Sequence, residues 1–204
     1  YRRYDIRSGL PDNSVKDICQ DSRGYMWFAT KDGFCRFDGH EFDTYGSSIS
    51  GSHLNIDAIC PHIDGKHIRL GCTDILMIFN PDTAELKPFS CKSQDGKQIR
   101  CCISLEYDIT GDLWIGTDNG VYRWDETSGK LTRYRLTDSP TVYVKDLLHD
   151  TKNNIWAGTD CGLYVYDRLT DSFDLVRLNS DMKYDISAIT QSADNRLLLG
   201  TQTG

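Results

Sequence analysis

Two short strands joined by a tight turn are predicted by the stretch Leu113-Trp114-Ile115-Gly116-Thr117-Asp118-Asn119-Gly120-Val121-Tyr122-Arg123-Trp124-Asp125. Apolar residues alternate with small or polar ones on both sides of a turn whose Asp, Asn and Gly tolerate the positive φ of a hairpin. The same pattern occurs in Met26–Asp38 and again in Ile155–Asp167. The hairpin is therefore a repeated unit of the chain.

The repeat has a nearly constant period. The small residue of each tryptophan-type strand recurs with spacings of 42, 45, 42 and 42 residues, at Ala29, Gly71, Gly116, Gly158 and Gly200. A period of about 40–45 residues made of short strands is typical of β-propeller blades. We therefore predict an all-β fold: an incomplete β-propeller of four-stranded antiparallel blades, with about four and a half blades in the 204 residues.

Each repeat predicts an inner strand, a polar turn, the tryptophan hairpin and an outer fourth strand. The second repeat is degenerate, because Arg69 replaces the tryptophan and Ile75 stands at the turn glycine. The N-terminal residues resemble a fourth strand, which in a propeller can close the ring by joining the last blade. The predicted boundaries are residues 1–11 for this closing strand and lead-in, 12–52 for blade 1, 53–97 for blade 2, 98–140 for blade 3, 141–182 for blade 4 and 183–204 for the first half of blade 5. We expect the natural domain to be longer.

Charge and cysteine content exclude several classes of function. The net charge of −7 argues against contact with nucleic acid, which requires a basic surface. The eight cysteines contain no C-x-x-C pair, and most are expected to be small buried hydrophobes with few or no disulfides. The five histidines show no H-E-x-x-H motif or paired ligand spacing. We therefore expect no metal site and no cofactor.

The conspicuous residues that recur with the repeat are expected to build the blade. Catalysis or ligand recognition should instead break the repeat, so no catalytic residue is predicted. The recurring residues are the turn acids Asp21, Asp108 and Asp150 and the tryptophans Trp27, Trp114 and Trp156.

Residues outside the repeat pattern, just before or within the start of the inner strands, are the candidate ligand contacts. Aromatic rings can stack on the apolar C–H faces of sugars, and polar side chains can bond their hydroxyls. The loops that precede the inner strands converge with the second-to-third-strand turns on one face, where propellers commonly bind ligands at the mouth of the central channel. The candidates are His53, Asn55, Arg100, Tyr143, Lys145 and Tyr184.

A resemblance to a known family is carried by the first repeat. It comprises Gly9-Leu10-Pro11-Asp12-Asn13-Ser14-Val15 and then Asp21-x-x-Gly24-x-x-Trp27-Phe28-Ala29-Thr30-x-Asp32-Gly33-Phe34-x-Arg36-Phe37-Asp38-Gly39. This pattern resembles the two-component-regulator propeller repeat, which is typical of the sensor regions of hybrid two-component systems. The family joins a histidine kinase and usually a response regulator in one single-pass membrane protein.

The resemblance implies a periplasmic sensor on the outer side of the inner membrane. In that family two propellers and a β-sandwich precede a membrane helix, and oligosaccharides released from polysaccharides are sensed to control the genes for their use. The resemblance further implies a homodimer of the full-length protein and membrane contact only through a downstream helix. We expect this chain to bind ligand without catalysis of its own, the kinase activity belonging to the full-length protein. The alternatives are a propeller enzyme acting on polysaccharide, a lyase or a glycosidase, and a propeller that binds only proteins.

Overall fold

The computed structural model describes residues 2–46, 54–91, 99, 101–139, 141–178 and 184–201. Within these ranges the chain forms a short 3-10 helix, Ile6–Ser8, and eighteen strands, β1 to β18. All strand pairs are antiparallel, and the strands form four four-stranded sheets and one two-stranded sheet. The fold is a β-propeller, as predicted. The described part of the chain contains no helix that is both long and apolar enough to cross a membrane.

Two compact units divide the chain. The first comprises residues 1–90 and 99–102 and the second residues 91–98 and 103–204. In the first unit, blade 1 contains β1 (Val15–Gln20), β2 (Met26–Thr30), β3 (Gly33–Phe37) and β4 (Phe42–Gly46), and blade 2 contains β5 (Ile56–Pro61), β6 (Ile68–Cys72), β7 (Leu76–Asn80) and β8 (Glu85–Phe89).

The second unit contains the remaining strands. Blade 3 contains β9 (Ser104–Tyr107), β10 (Leu113–Thr117), β11 (Gly120–Asp125) and β12 (Lys130–Tyr134). Blade 4 contains β13 (Val144–His149), β14 (Ile155–Thr159), β15 (Gly162–Asp167) and β16 (Ser172–Leu175), and the half-blade contains β17 (Ile186–Gln191) and β18 (Leu197–Thr201).

The core of each unit lies between successive blades. In the first unit the fully buried rings of Trp27 and Phe34 pack against Phe79 of the next blade, with ring centroids 6.0 and 4.9 Å from it. In the second unit Trp114 packs against Tyr166 of the next blade at 4.7 Å. The tryptophan strands are therefore core elements, as the repeat predicts, because burial of large aromatic surfaces stabilises the blade contacts.

A hydrogen bond of recurring geometry also links successive blades. The side chain of one inner-strand residue accepts the backbone N–H of a residue 42 or 43 positions later. The pairs are Asp17 with Ile59 at 2.9 Å, Ser104 with Leu147 at 2.9 Å and Asp146 with Ile189 at 2.6 Å.

The degenerate second repeat is a complete blade. Its strands β6 and β7 pair from Ile68 with Phe79 to Gly71 with Leu76, so the missing turn glycine does not prevent the hairpin. Pro88 lies in the outermost strand β8, where a missing N–H donor is tolerated. Five of the eight cysteines are buried, which agrees with their predicted role as small hydrophobes.

The N-terminal segment differs in detail from its predicted structure. Residues 2–5 lie in no strand, so their assignment to the last blade stays a prediction. The 3-10 helix that follows was not predicted. Asp5 caps its start by accepting the N–H of Arg7 at 2.9 Å, and Gly9 ends it with a φ of 112°.

Candidate functional site

In each unit, the loops before the inner strands lie against the turns between second and third strands. Tyr143 and Asp160 show this in blade 4: the N–H of Tyr143 donates to the Asp160 carboxylate, and the N–H of Asp160 donates to the Tyr143 carbonyl, both at 3.2 Å. Asn55 and Thr73 make the corresponding contact in blade 2, at 3.3 Å. We call the surface formed by these loops and turns the upper face of each unit.

Four of the five inner strands carry an irregularity at the upper face. In β1, β5, β13 and β17 the register shifts after the first residue, as in a β-bulge. A bulge residue leaves the ladder, and its side chain is redirected relative to its neighbours. The residues at the shift differ from blade to blade and are Lys16, Asp57, Lys145 and Ser187. The backbone bulge therefore recurs in these four strands, whereas the residue type at the bulge differs from blade to blade.

Asn55 belongs to a polar cluster in the first unit. Its Nδ2 lies 3.3 Å from both carboxylate oxygens of Asp57 and 3.3 Å from the Thr73 hydroxyl. The carboxylate accepts from the amide nitrogen, so the orientation of the Asn55 amide is determined. Its Oδ1 is then buried, and no donor among the described residues reaches it. Such an acceptor favours a hydroxyl or water as a partner, since a buried unpaired acceptor is destabilising.

Lys145 belongs to an ion pair in the second unit. Its Nζ lies 2.6 Å from Oδ1 of Asp185, the residue that precedes the next inner strand. The two side chains are only 29% and 25% exposed. A half-buried pair offers both a donor and an acceptor at a fixed position, which suits recognition of a polyhydroxylated ligand.

The two candidate tyrosines differ in accessibility. Tyr143 is 49% exposed and its backbone is fixed by Asp160, so the ring is available for stacking. Tyr184 is partly buried and packs against the cluster of Leu163, Ile186 and Ile189. Part of the Tyr184 side chain therefore supports the blade.

His53 and Arg100 lie outside the described residues. Sequence reasoning missed Asp57 and Asp185, the carboxylates that bond Asn55 and Lys145. Both could have been found by aligning the repeats, because both stand at positions where the residue type varies. Asp57 aligns with Lys145, whereas Asp185 aligns with Asn55 and Tyr143, and all of these positions vary among the copies.

The recurring acids are structural, as predicted. Asp108 accepts the indole N–H of Trp114 at 3.0 Å, and equivalent bonds of 2.8 Å join Asp21 to Trp27 and Asp150 to Trp156. Burial alone would raise the pKa of Asp108, but its hydrogen bonds from Thr110 and Trp114 outweigh this effect and hold the pKa below the usual value.

Two of the five histidines lie beside a carboxylate, a contact that their spacing in the sequence did not predict. The structure brings His62 and His67 to Asp64, in the turn between β5 and β6, with one potential ligand atom of each residue within 4.8 Å of the others. The first-to-second-strand turns lie at the blade end opposite the upper face. We call this end of each unit the lower face.

Comparison with known proteins agrees with the blade pattern. Residues 9–32 match the family described as two component regulator propeller. A stretch of 52 residues, 26% of the chain, is 38% identical to histidine kinase P4 of Formosa agariphila. The matched stretch spans 4% of that kinase.

Solved structures of similar fold include proteins of different function. The extracellular domain of the hybrid two component system BT3049 of B. thetaiotaomicron is similar over 98% of this chain, with 22% identity and a TM-score of 0.68. The chain spans 34% of the length of that domain. Virginiamycin B lyase of Staphylococcus aureus is similar over 94% of the chain and 64% of the lyase, with 12% identity and a TM-score of 0.72. At these identities the similarity shows the fold alone.

Proposed function

We propose that the chain is a ligand-binding part of the extracytoplasmic sensor region of a hybrid two-component protein. The repeat at residues 9–32 carries this proposal, and the local match to a histidine kinase supports it. In the full-length protein the region would lie on the periplasmic side of the inner membrane, joined by a downstream helix to the kinase. The protein would act as a homodimer, and ligand would shift the balance between two signalling states.

The proposed ligand is an oligosaccharide derived from a polysaccharide, and each unit offers its own upper face as a site for it. Asn55 supports this with an acceptor suited to a sugar hydroxyl, and Lys145 with Asp185 supplies a donor and an acceptor. Tyr143 offers an exposed ring to the apolar side of a sugar. His53 and Arg100 are proposed as further contacts from the same loops.

Calorimetric titration of the chain with a panel of purified oligosaccharides tests the proposal, with the complete extracytoplasmic region titrated in parallel. We expect N55A to weaken binding to the first unit and Y143A to weaken binding to the second unit, each by about tenfold or more, because each removes a contact with the ligand of that unit. L169A is the matched control, since Leu169 is 96% exposed in the turn between β15 and β16 at the lower face. Its affinity should equal that of the wild type.

Three other outcomes would overturn the proposal. Appearance of shortened or unsaturated sugars during incubation with the complete region would indicate a polysaccharide lyase or glycosidase. Absence of binding across the panel, together with a protein that binds the upper face and is lost with Y143A, would indicate a protein-interaction propeller. Binding that is unaffected by either variant would place the ligand elsewhere in the region.

A further inference from the structure

The turn between β5 and β6 breaks the repeat at the lower face. In blades 1, 3 and 4 the turn between the first and second strands starts with an aspartate. The tryptophan six residues later donates its indole N–H to the carboxylate of this aspartate. In blade 2 the register pairs Cys60 with Arg69, so His62 takes the place of the aspartate and the turn is one residue longer. This turn therefore lacks the carboxylate-to-indole bond of the other three blades.

Two imidazoles and a carboxylate meet in this turn. The Nδ1 of His67 lies 2.6 Å from Oδ2 of Asp64. The Nδ1 of His62 lies 3.0 Å from Oδ1 of the same carboxylate. The side chains of His62, Asp64 and His67 are 16%, 34% and 32% exposed. An ion from solvent can therefore reach the cluster.

The backbone of the turn holds the carboxylate in place. Oδ1 of Asp64 accepts the N–H groups of Lys66 at 2.7 Å and His67 at 3.1 Å. The N–H of His62 donates to the carbonyl of His67 at 2.8 Å and closes the turn. Preorganisation of this kind lowers the conformational entropy lost when the three side chains bind an ion.

The contacts of His62 favour a positive charge within the cluster. The backbone N–H of Asp64 donates to Nδ1 of His62 at 3.1 Å, which requires a lone pair on that nitrogen. The same nitrogen is 3.0 Å from a carboxylate oxygen that is also an acceptor. While Nδ1 of His62 acts as an acceptor, its lone pair and the carboxylate oxygen repel each other, and a metal ion bound to both would remove that repulsion.

We propose that His62, Asp64 and His67 bind a divalent transition-metal ion, with Zn²⁺ as the best match. Two imidazole nitrogens and one carboxylate oxygen are typical zinc ligands and leave a fourth position for water. Calcium and magnesium prefer oxygen ligands alone. His67 also lines a small cleft that is bordered by Asp21, Arg23 and Lys66.

In blade 2 the bound ion would tie the turn to the second strand, as the aspartate does in blades 1, 3 and 4 by accepting the indole N–H. It would link the end of β5 to the start of β6, since His62 follows the first strand and His67 precedes the second. Metal binding would shift the histidine side chains slightly, because Zn²⁺ needs ligand atoms at about 2.0–2.2 Å from itself rather than in direct hydrogen bonds. The ion would stabilise the folded chain according to its concentration.

Zn²⁺ titration of the metal-stripped chain tests this inference, using competition with a chromophoric chelator. We expect one high-affinity site, a rise in melting temperature with Zn²⁺, and visible absorption bands of four-coordinate cobalt when Co²⁺ is used instead. H62A, H67Q and D64N should each weaken zinc binding by at least about tenfold and abolish the thermal shift. D64N keeps a side-chain acceptor for the turn, so it separates loss of metal binding from loss of folding.

H40A is the matched control, because His40 is an exposed histidine in another lower-face turn. It should bind Zn²⁺ as the wild type does, and far-UV circular dichroism should show that every variant is folded. Zinc binding that survives in H62A and D64N would overturn the inference, because the ion would then sit elsewhere. Absence of binding to the folded wild-type chain would overturn it too.

Discussion

The carboxylate of Asp17 in blade 1 accepts the backbone N–H of Ile59 in blade 2 at 2.9 Å. The same carboxylate accepts the N–H of Ile18 through its other oxygen at 2.8 Å. One side chain therefore satisfies a backbone group of its own strand and one of the neighbouring inner strand. Loss of the acceptor would leave a buried donor without a partner, which is more costly than loss of an exposed hydrogen bond.

D17A should destabilise the chain by about 2 kcal/mol, because it leaves the N–H of Ile59 unpaired. D17N should be milder, since the amide oxygen can still accept. Urea unfolding followed by tryptophan fluorescence measures both. D174N at the exposed position 174 is the control and should match the wild type. Equal stability of D17A and wild type would show that this bond contributes nothing.

Asp17 and Asp108 should give opposite pH dependences. Burial raises the pKa of Asp17 despite its backbone hydrogen bonds, whereas hydrogen bonds to Asp108 outweigh burial and lower its pKa. The stabilisation linked to Asp17 is full below the unfolded pKa of about 3.9 and is lost as pH rises through the folded value. That linked to Asp108 is present above about 3.9 and is lost as pH falls through its folded value.

Unfolding free energies at several pH values check these signs. As the pH is lowered from about 6 to about 3, the advantage of wild type over D17N should grow and its advantage over D108N should shrink. Parallel curves for wild type and D17N would contradict the raised pKa of Asp17. The same result for D108N would contradict the lowered pKa of Asp108.

A tyrosine pair in the second unit should be resistant to ionisation. The hydroxyls of Tyr134 and Tyr166 both donate to Oδ1 of Asp171, at 2.7 and 2.5 Å. Burial and these bonds to a carboxylate raise both tyrosine pKa values. In an ultraviolet titration these two rings should ionise after the exposed tyrosines. Y166F should lower stability by about 1 kcal/mol, and titration of Tyr134 with the exposed tyrosines would contradict the expectation.

Two glycines with positive φ provide a matched pair. At Gly120, with a φ of +126°, a β-carbon would lie 2.6 Å from the carbonyl oxygen of Tyr134, whereas at Gly24, with a φ of +87°, nothing lies within 4 Å. G120A should therefore lower the unfolding free energy by about 3 kcal/mol or more, and G24A by about 1 kcal/mol from backbone strain alone. Thermal unfolding measures the two values, and equal destabilisation would contradict a steric contribution at Gly120.

The ion pair of Lys145 and Asp185 gives a prediction about ligand affinity. K145A should weaken oligosaccharide binding, because it removes a donor at the upper face and leaves Asp185 without its partner at 2.6 Å. Its effect on chain stability should be small, since the pair is partly exposed. Calorimetry with the oligosaccharide that binds best, alongside thermal unfolding, separates the two effects. A fall in stability without a change in affinity would assign the pair a structural role only.

The blade architecture was predictable because the same packing problem recurs in each repeat. The tryptophans of blades 1, 3 and 4 occupy equivalent strand positions, so their spacing in the sequence is enough to predict the repeated blade. They are Trp27, Trp114 and Trp156. The candidate face was also predictable, since alternation of turns and loops places Asn55 and Tyr143 at the same end of their blades.

Features that depend on register were not predictable. The shift at Lys145 redirects a side chain without leaving a sequence mark, so its contact with Asp185 could not be derived. The extra residue before Arg69 hides the equivalence of His62 with Asp21, so the histidine cluster escaped detection. The 3-10 helix did have a signal, in the capping residues Asp5 and Ser8 and the following Gly9.

The residues at the register shift can differ without disturbing the blade. Lys16, Asp57, Lys145 and Ser187 share one backbone geometry, yet they differ in charge and size. The rings that hold the blades together lie on other positions of the strands. Substitutions at these four positions can therefore change the charge of the proposed ligand-binding faces without removing the ring contacts that stabilise the blades. The repeat therefore keeps one backbone geometry at these four positions while their side chains differ.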